Sequence, residues 1–511
     1  MRAVTAAQMR AIDAAAVARD GEIALMRAAG AAIARLIDRT ARGEGAVVAL
    51  AGAGNNGGDA YAALAAYGGP RRRIVYADVA VEGSAARRDA RFRARIAGVE
   101  ERPFPPDPGV LRDAALLLDG LLGVNARLPL DPATAALVAA AGAAGAPVLA
   151  LDVPTGVDPT TGAVGEPAIR AAATIALGRP KLGCLLDPGR AATGALWCAP
   201  IGMRDQDADG VDDPPADLLD DAGFAALLPV RDGAAEKRSA GAPLIVAGST
   251  QFPGAAVLCA LGAARAGAGY VTVAAPAGAA AALRAHLLEP VVVTYEEDDP
   301  AGAVATILDL THRCSAIAIG PGLGLSEGFG TIVNGVLQGT DLPAVADASA
   351  LFHLAKRLGD YRKRALVLTP HAGEFARLSG QGTVAPEQRL PRLRAFVDAH
   401  GITTLLKGQT TLIGTPEATY LNVSGTSALA TAGTGDVLSG VIATLLSQGL
   451  GPADAARVGA YWHGRAGAHA QRIRPRGVMA SDVADALGAA SCVEPGEPGL
   501  VALFAASAGR A

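Results

Sequence analysis

The sequence predicts two consecutive α/β domains, each a largely parallel sheet covered by helices on both faces. Short apolar runs alternate with longer helical stretches along nearly the whole chain, the pattern of doubly wound folds. Two Gly-rich turns, AGAGNNGGD at 51–59 and ATAGTGDVLSG at 430–440, each follow a strand-like run and open a helical stretch. That arrangement aims backbone N–H groups and the helix dipole at an anion. Between the two series lies RDQDADGVDDPPADLLDD at 204–221, acidic and interrupted by proline, which reads as a linker.

The first series places strands at 46–51, 73–77, 115–119, 147–152 and 173–177, in a three-layer αβα arrangement of Rossmann-like kind. The second places them at 243–248, 270–275, 315–319, 343–347, 365–369, 403–407, 410–414 and 418–422, with a helix starting near Asp436 and a helical C-terminal stretch. No repeat relates the halves, so the chain is a fusion and not a duplication. Boundaries are expected at 1–215 and 222–505. With 511 residues the chain is too long for a single core. The linker holds Asp205, Asp207, Asp209 and Gly210 in calcium-loop spacing, but Ala216 stands where the bidentate Glu belongs, so a solvated linker is the better reading.

Hydrophobic residues make up 51% and aromatics only 4%, with Ala and Gly dominant, which suits close packing of helices on sheets. A net charge of −4 offers no electrostatic reason for nucleic acid or an anionic membrane as partner. The five cysteines are scattered and without CxxC spacing, as expected of buried thiols in a reducing compartment. Asp13, Asp20 and Glu22 argue against a transit peptide, and the apolar spacing there is that of a surface helix. The uncharged run from Pro132 to Leu151 is broken by Gly142, Gly145 and Pro147 into helix, turn and strand, so no membrane span is expected. The chain is expected to be cytoplasmic and a homo-oligomer, its small-residue helices packing across an interface.

Gly52, Gly54 and Gly57 satisfy GxGxxG, and Asp78 ends the next strand, so a nicotinamide-dependent dehydrogenase competes for this half. Asn55, Asn56 and Asp59 add side-chain oxygens and amides that such a loop does not need. Two further strand ends carry polar groups: Asp119 in DGLLGVNARLP, and Asp152 with Thr155 in DVPTGVDPTTG. Parallel sheets bind ligands at the carboxyl ends of their strands, so the three loops should converge. Asn, Asp and Thr oxygens together suit a hard cation.

GAGNNGGDAYAA, LLDGLLGVNARLPL, LDVPTGVDPTTG and GRPKLG at 178–183 follow one another as in the NAD(P)H-hydrate epimerase family, which this half resembles. The resemblance implies interconversion of the R and S forms of hydrated NADH and NADPH. It further implies potassium ligands at Asn56, Asp119 and Thr155. The implied hydrate-binding set is Asn55, Asn56, Gly57, Gly58 and Asp59, with Gly123, Val124, Asn125, Ala126, Arg127, Leu128 and Pro129, and Asp152. Asp152 is the candidate acid/base.

In the second half, the turn at 433–436 offers the N–H groups of Gly433, Thr434 and Gly435 to a transferring phosphoryl, and Asp436 can take a proton from the accepting hydroxyl. KGQTT at 407–411 adds Lys407, glycine and hydroxyls. TPHAGEF places His371 and Glu374 after a strand, GPGLG at 320–324 admits a ligand close to backbone, and VADAS supplies Asp347. Simpler readings stand beside these: Asp347 as a helix cap, Lys407 as a solvated charge, His463 and His469 as structural.

AGSTQFPGAAVLCALGAARAGAGYVTV, IGPGLG, LTPHAGEFARL, LKGQTT, TAGTGDVLSGVIATLLSQG and GVMASDVADAL together resemble the NAD(P)H-hydrate dehydratase family, a ribokinase-like branch, over roughly 225–490. The resemblance implies dehydration of the S hydrate at the expense of ADP, the nucleotide that bacterial relatives typically use, with AMP and phosphate released; magnesium is expected beside it, since phosphoryl charge needs neutralising. By the same resemblance Ala255, Gly322, His371 and Asp436 contact the hydrate, and Lys407, Gly408, Gln409, Thr410, Thr411 and Gly435 the nucleotide. Two other readings stay open: a ribokinase-like kinase acting on a vitamin hydroxymethyl group, and a first half that only senses a ligand.

Overall fold

A computed structural model describes residues 1–204, 207, 216–231, 233, 236–362, 364–493 and 498–504. The chain divides into two compact units, one of Met1–Ala216 with Pro495–Ala511, the other Asp217–Glu494. The second unit thus ends short of the expected 505, because strand Val501–Phe504 pairs antiparallel with Ala195–Ala199 in the first. A strand there also replaces part of the expected helical C-terminus.

In the first unit Val47–Ala51 lies between Leu116–Gly120 and Arg73–Ala77, parallel to both. Val148–Leu151, Ala173–Leu177 and Ala195–Ala199 continue the sheet on one side and Glu100–Pro103 on the other. The strands Val47–Ala51, Leu116–Gly120 and Ala173–Leu177 are buried at every position, which is why they read as unbroken apolar runs. After Val47–Ala51 the chain works outward to Glu100–Pro103, then returns to the opposite side at Leu116–Gly120. The crevice at this reversal is where open sheets bind ligands. Pro132–Ala144 is a helix closed by Gly145 at φ 72° ahead of Val148–Leu151. Among the described residues no helix is long and apolar enough to cross a membrane.

The second unit repeats the plan. Pro243–Val246 lies parallel between Thr272–Pro276 and Ala316–Ile319, followed outward by Val291–Tyr295 on one side. On the other come Ala344–Ala346, Leu366–Leu368 and Thr403–Leu406, then the antiparallel Thr411–Gly414 and Thr419–Asn422. The strand order again reverses beside Pro243–Val246.

One contact decides how close the helices of this unit come. Helices Pro253–Arg265 and Thr434–Ser447 meet through glycine: a Cβ on Gly440 would lie 2.0 Å from Cys259 O, and one on Gly262 2.4 Å from Val437 O. The backbones touch, and this brings the loop before Pro253 to the start of the Asp436 helix.

Of the calcium-loop spacing, Asp205, Asp209 and Gly210 lie outside the described residues. Asp207 is ion-paired to Arg19 and accepts from Arg204 N at 2.8 Å.

Gly440→Ala should therefore cost about 1–3 kcal/mol through backbone overpacking, read as a lower urea midpoint. Gly142 lies in helix Pro132–Ala144 with open space around its Cβ position, and Gly142→Ala should stabilise by about 1 kcal/mol. Equal effects would contradict the packing account.

Candidate active sites

At the first crevice Asp119 is buried at the end of its strand and accepts from Thr155 N (2.8 Å), Thr155 Oγ1 (2.7 Å) and Leu121 N (3.3 Å). Burial pushes its carboxyl up to about 6 against the pull of those bonds. Thr155 Oγ1 in turn accepts from Leu122 N at 3.2 Å. Asn56 Nδ2 donates to Leu122 O at 2.8 Å, while Asn56 Oδ1 is buried with no partner. The structure thus brings Asn56, Asp119 and Thr155 to one loop, and leaves one amide oxygen there unsatisfied, which is costly without a ligand.

Asp152 follows strand Val148–Leu151 at φ 68°, a conformation rare outside glycine and found most often at functional positions. Its carboxylate accepts from Leu177 N at 3.1 Å and is ion-paired to buried Lys181, whose ammonium also donates to Leu177 O at 2.8 Å. Asp59, on helix Asn55–Ala66, is driven well above the usual carboxylate range, first by desolvation and then by Asp152. Gly123 sits against both sets, its Cβ position 3.4 Å from Asn56 Cγ and 3.5 Å from Asp152 Oδ2. Beyond it, Ala126 N turns back onto Gly123 O and Leu128 packs on Gly165. Val124 packs against the cluster of Met9, Ile12 and Met203. Asn55 Oδ1 accepts from Ser84 Oγ at 3.4 Å.

The GxGxxG glycines divide by cause. A Cβ on Gly52 would strike Leu121 O and one on Gly57 would strike Gly52 O, each at 2.0 Å, whereas Gly54 meets nothing within 4 Å. Gly54 is the N-cap of Asn55–Ala66 and no side chain caps that helix, so its first N–H groups face the open side. Asp78 Oδ1 accepts from Ala80 N at 3.0 Å and closes a turn. Sequence reasoning assigned no role to Lys181 or Arg87. Arg87 is buried in an Arg-rich helix and donates to Gly52 O (3.0 Å) and Val81 O (2.8 Å), tying two loops of the crevice. The only signal for Lys181 was its place in GRPKLG.

In the second unit Asp347 is buried at the end of strand Ala344–Ala346. It accepts from Lys407 Nζ (2.8 Å) and Ser439 Oγ (3.0 Å). Neither the cap reading of Asp347 nor the solvated reading of Lys407 survives, since the two form an ion pair. Helix Ser349–Leu354 instead takes Ala348 as its N-cap, at φ 49°. Although burial opposes it, Asp347 and Glu374 hold the Lys407 ammonium above its ordinary value. The Cβ position of Gly435 lies 3.4 Å from Lys407 Nζ and 3.6 Å from Asp347 Oδ2, so the turn rests on this pair. Asp436 is pushed up to about 7, by desolvation first and then by the Asp347 charge, with Lys407 pulling the other way.

The turn departs from expectation in one respect. Thr434 N–H donates to Thr431 O at 3.3 Å, so it is spent within the turn. Gly433, at φ 90°, is the N-cap of Thr434–Ser447, and no side chain caps that helix, which leaves the first-turn N–H groups around Gly435 and Asp436 open to an anion. Facing it, Gly322 at φ 69° meets Ala255: a Cβ there would lie 2.7 Å from Ala255 Cβ and from Phe252 O. Helix Pro253–Arg265 is also without a side-chain cap. His371 caps helix Ala372–Ser379 through Nδ1, accepting from Gly373 N at 3.0 Å, and its Nε2 lies 3.6 Å from Glu374 Oε2 on an exposed side chain. In KGQTT, Arg389 braces the loop by donating to Lys407 O at 2.7 Å and crowding Gly408. Thr410 is buried, Thr411 Oγ1 turns onto Gly408 O, and Gln409 is exposed. His463 is buried and held neutral, its pKa lowered to about 4 by desolvation, and His469 pairs with Arg472.

The chain matches two family models, one described as YjeF-related protein N-terminus over 22–183, the other as NAD(P)H-hydrate dehydratase over 243–488. It is 34% identical to the bifunctional NAD(P)H-hydrate repair enzyme of Moorella thermoacetica over 95% of this chain and 96% of that one. Its identity with the same enzyme of Mycobacterium tuberculosis is 38%, over 88% and 89%. Among solved structures, the ADP/ATP-dependent NAD(P)H-hydrate dehydratase of Bacillus subtilis, co-crystallised with ATP and Mg2+, is 31% identical. It spans 54% of this chain and 97% of its own, with a TM-score of 0.47.

Removing the ammonium at position 181 strands a buried carboxylate. Lys181→Met should cost about 3–5 kcal/mol in denaturant unfolding of the first unit, whereas the double variant Lys181→Met/Asp152→Leu should recover most of that loss. A single variant as stable as the parent would contradict the pairing.

Proposed function

The chain belongs to the family of bifunctional NAD(P)H-hydrate repair enzymes, and we propose that its two units divide the repair as follows. The first unit interconverts the R and S hydrates of NADH and NADPH. The second returns the S hydrate to NAD(P)H at the expense of ADP, releasing AMP and phosphate. Because only one epimer is consumed, the first activity makes both repairable. The observation that carries the reading is Asp436, a carboxyl near neutrality at an uncapped helix start, beside the Lys407–Asp347 pair.

In the second unit the hydrate hydroxyl lies at Asp436, with Ala255, Gly322 and His371 around the ring. The nucleotide lies along 407–411 and Gly435. Asp436 accepts the hydroxyl proton as that oxygen bonds to the terminal phosphorus of ADP and AMP leaves. The open N–H groups of the helix start and Lys407 hold the charge that develops on the phosphoryl oxygens. The ring nitrogen lone pair then expels phosphate and restores the dihydronicotinamide. Magnesium neutralises phosphate charge when bound. Among the described residues no group of three or more His, Cys, Asp or Glu is gathered for a metal, which suits an ion that arrives with the nucleotide phosphates.

In the first unit Asp152 handles the proton beside the ring carbon, held in place by Lys181. Residues 55–59 and 123–129 line the hydrate. Potassium would be held by Asn56, Asp119 and Thr155; the unsatisfied Asn56 Oδ1 and the anionic Asp119 fit such an ion. The ion supplies charge balance and loop order there.

Hydrated NADH of mixed epimers, given protein and ADP, should regain dihydronicotinamide absorbance until both epimers are gone. Asp436→Asn should lower that rate by about 10²–10⁴ with little change in KM. Asp152→Asn should leave the R epimer behind while the S epimer still disappears, and replacing potassium by lithium should slow the R epimer alone. Untouched hydrate, alongside phosphorylation of a vitamin hydroxymethyl alcohol, would favour the kinase reading instead.

A further inference from the structure

Residues 1–21 lie outside the stretch matched by the model of the first half, yet they are built into the backbone around Lys181. Val4 is buried. It donates its N–H to Pro180 O at 3.0 Å and accepts from Leu182 N at 2.9 Å, so it brackets Lys181 as a parallel bridge. Ala6 N then donates to Thr160 Oγ1 at 3.0 Å, and a Thr5–Gln8 capping box starts helix Ala6–Asp20. Met9, Ile12 and Ala16 seat that helix on Leu25 and Met203, and Met9 Cε lies 3.1 Å from the Cβ position of Gly178. The helix is thereby fixed beside the GRPKLG segment on two sides.

It carries Asp13 into the same charge cluster. Burial raises the Asp13 carboxyl to about 6, with Lys181 pulling it down and Asp152 pushing it up. Asp59 feels Asp152, Asp13, Lys181 and Glu22 in that order. Lys181 thus answers to Asp13 and Asp59 as well as to its ion-pair partner Asp152.

We propose that this N-terminal segment is a working part of the epimerase site: Val4 holds the backbone that presents Lys181 to Asp152, and Asp13 is a positioning residue that sets how far Lys181 neutralises Asp152. The proposal rests on the epimerase reading of the first unit. With Asp13 uncharged, Lys181 loses a competing anion and is held chiefly by Asp152.

The test follows the R-to-S ratio by chromatography on the full chain without nucleotide. Asp13→Asn should lower kcat roughly fivefold or more. KM and the melting temperature should stay near parental values, and Asp13→Glu should restore most of the rate. Val4→Pro, which removes the N–H given to Pro180 along with the buried side chain, should slow the same step while S-hydrate dehydration is unchanged. Asp13→Asn within twofold of the parent overturns the proposal. A parent chain that does not convert R to S would instead remove the epimerase reading itself.

Discussion

A lysine–aspartate ion pair at the carboxyl end of each sheet, buried in the first unit and with a half-buried lysine in the second, is the interaction on which both sites depend. In the first unit it is Lys181 with Asp152, in the second Lys407 with Asp347. Taking two charges out of water is expensive, and such a pair is tolerated only where further hydrogen bonds satisfy it. Leu177 supplies its N–H and its carbonyl to the first pair, and Ser439 its hydroxyl to the second. Each pair stands beside another carboxyl that burial and the paired aspartate raise: Asp59 in one unit, Asp436 in the other. Backbone with positive φ occurs at both places, at Asp152 and at Ala348 next to Asp347. The two units share no sequence repeat, so the likeness is one of arrangement: an ion pair set beside a carboxyl that burial raises.

What holds these pairs in register is mostly main chain against main chain. The contact of Gly440 with Cys259 and of Gly262 with Val437 sets the start of the Asp436 helix against the first turn of helix Pro253–Arg265, which carries Ala255. In the first unit Gly52 and Gly57 let two loops and the first turn of helix Asn55–Ala66 stack without side chains between them. The high glycine and alanine content, set against few aromatics, is the compositional trace of this packing. Uncapped helix starts at Gly54, Phe252 and Gly433 then leave N–H groups for ligands, while helices such as Ala6–Asp20 and Pro132–Ala144 are capped by Thr5 and Asp131.

The central strands were legible because both of their faces are buried and their apolar runs are continuous. Glu100–Pro103 was not, since its side chains alternate between half-buried and exposed. Val501–Phe504 was hidden for another reason: its partner strand lies some three hundred residues earlier in the chain, and no local pattern reports that. At the sites, Asn56, Asp119 and Thr155 could be grouped from strand ends alone. The GxGxxG match misleads in part, because two of its glycines serve backbone contacts and Asp78 only closes a turn. Lys181 escaped because its role comes from Asp152, on a different strand. The competition for the Thr434 N–H escaped because it is a property of the turn's geometry, which composition does not encode.

The central claim is that Asp436 sits poised between its charged and neutral forms at physiological pH. Aspartate labelled with 13C at the side-chain carboxyl, titrated in the free protein and assigned by comparison with Asp436→Asn, reads this directly. The account predicts a carboxyl resonance whose midpoint lies near 7 and which rises further when Lys407→Met removes the neighbouring ammonium. A midpoint close to 3.8, the ordinary aspartate value, would contradict it.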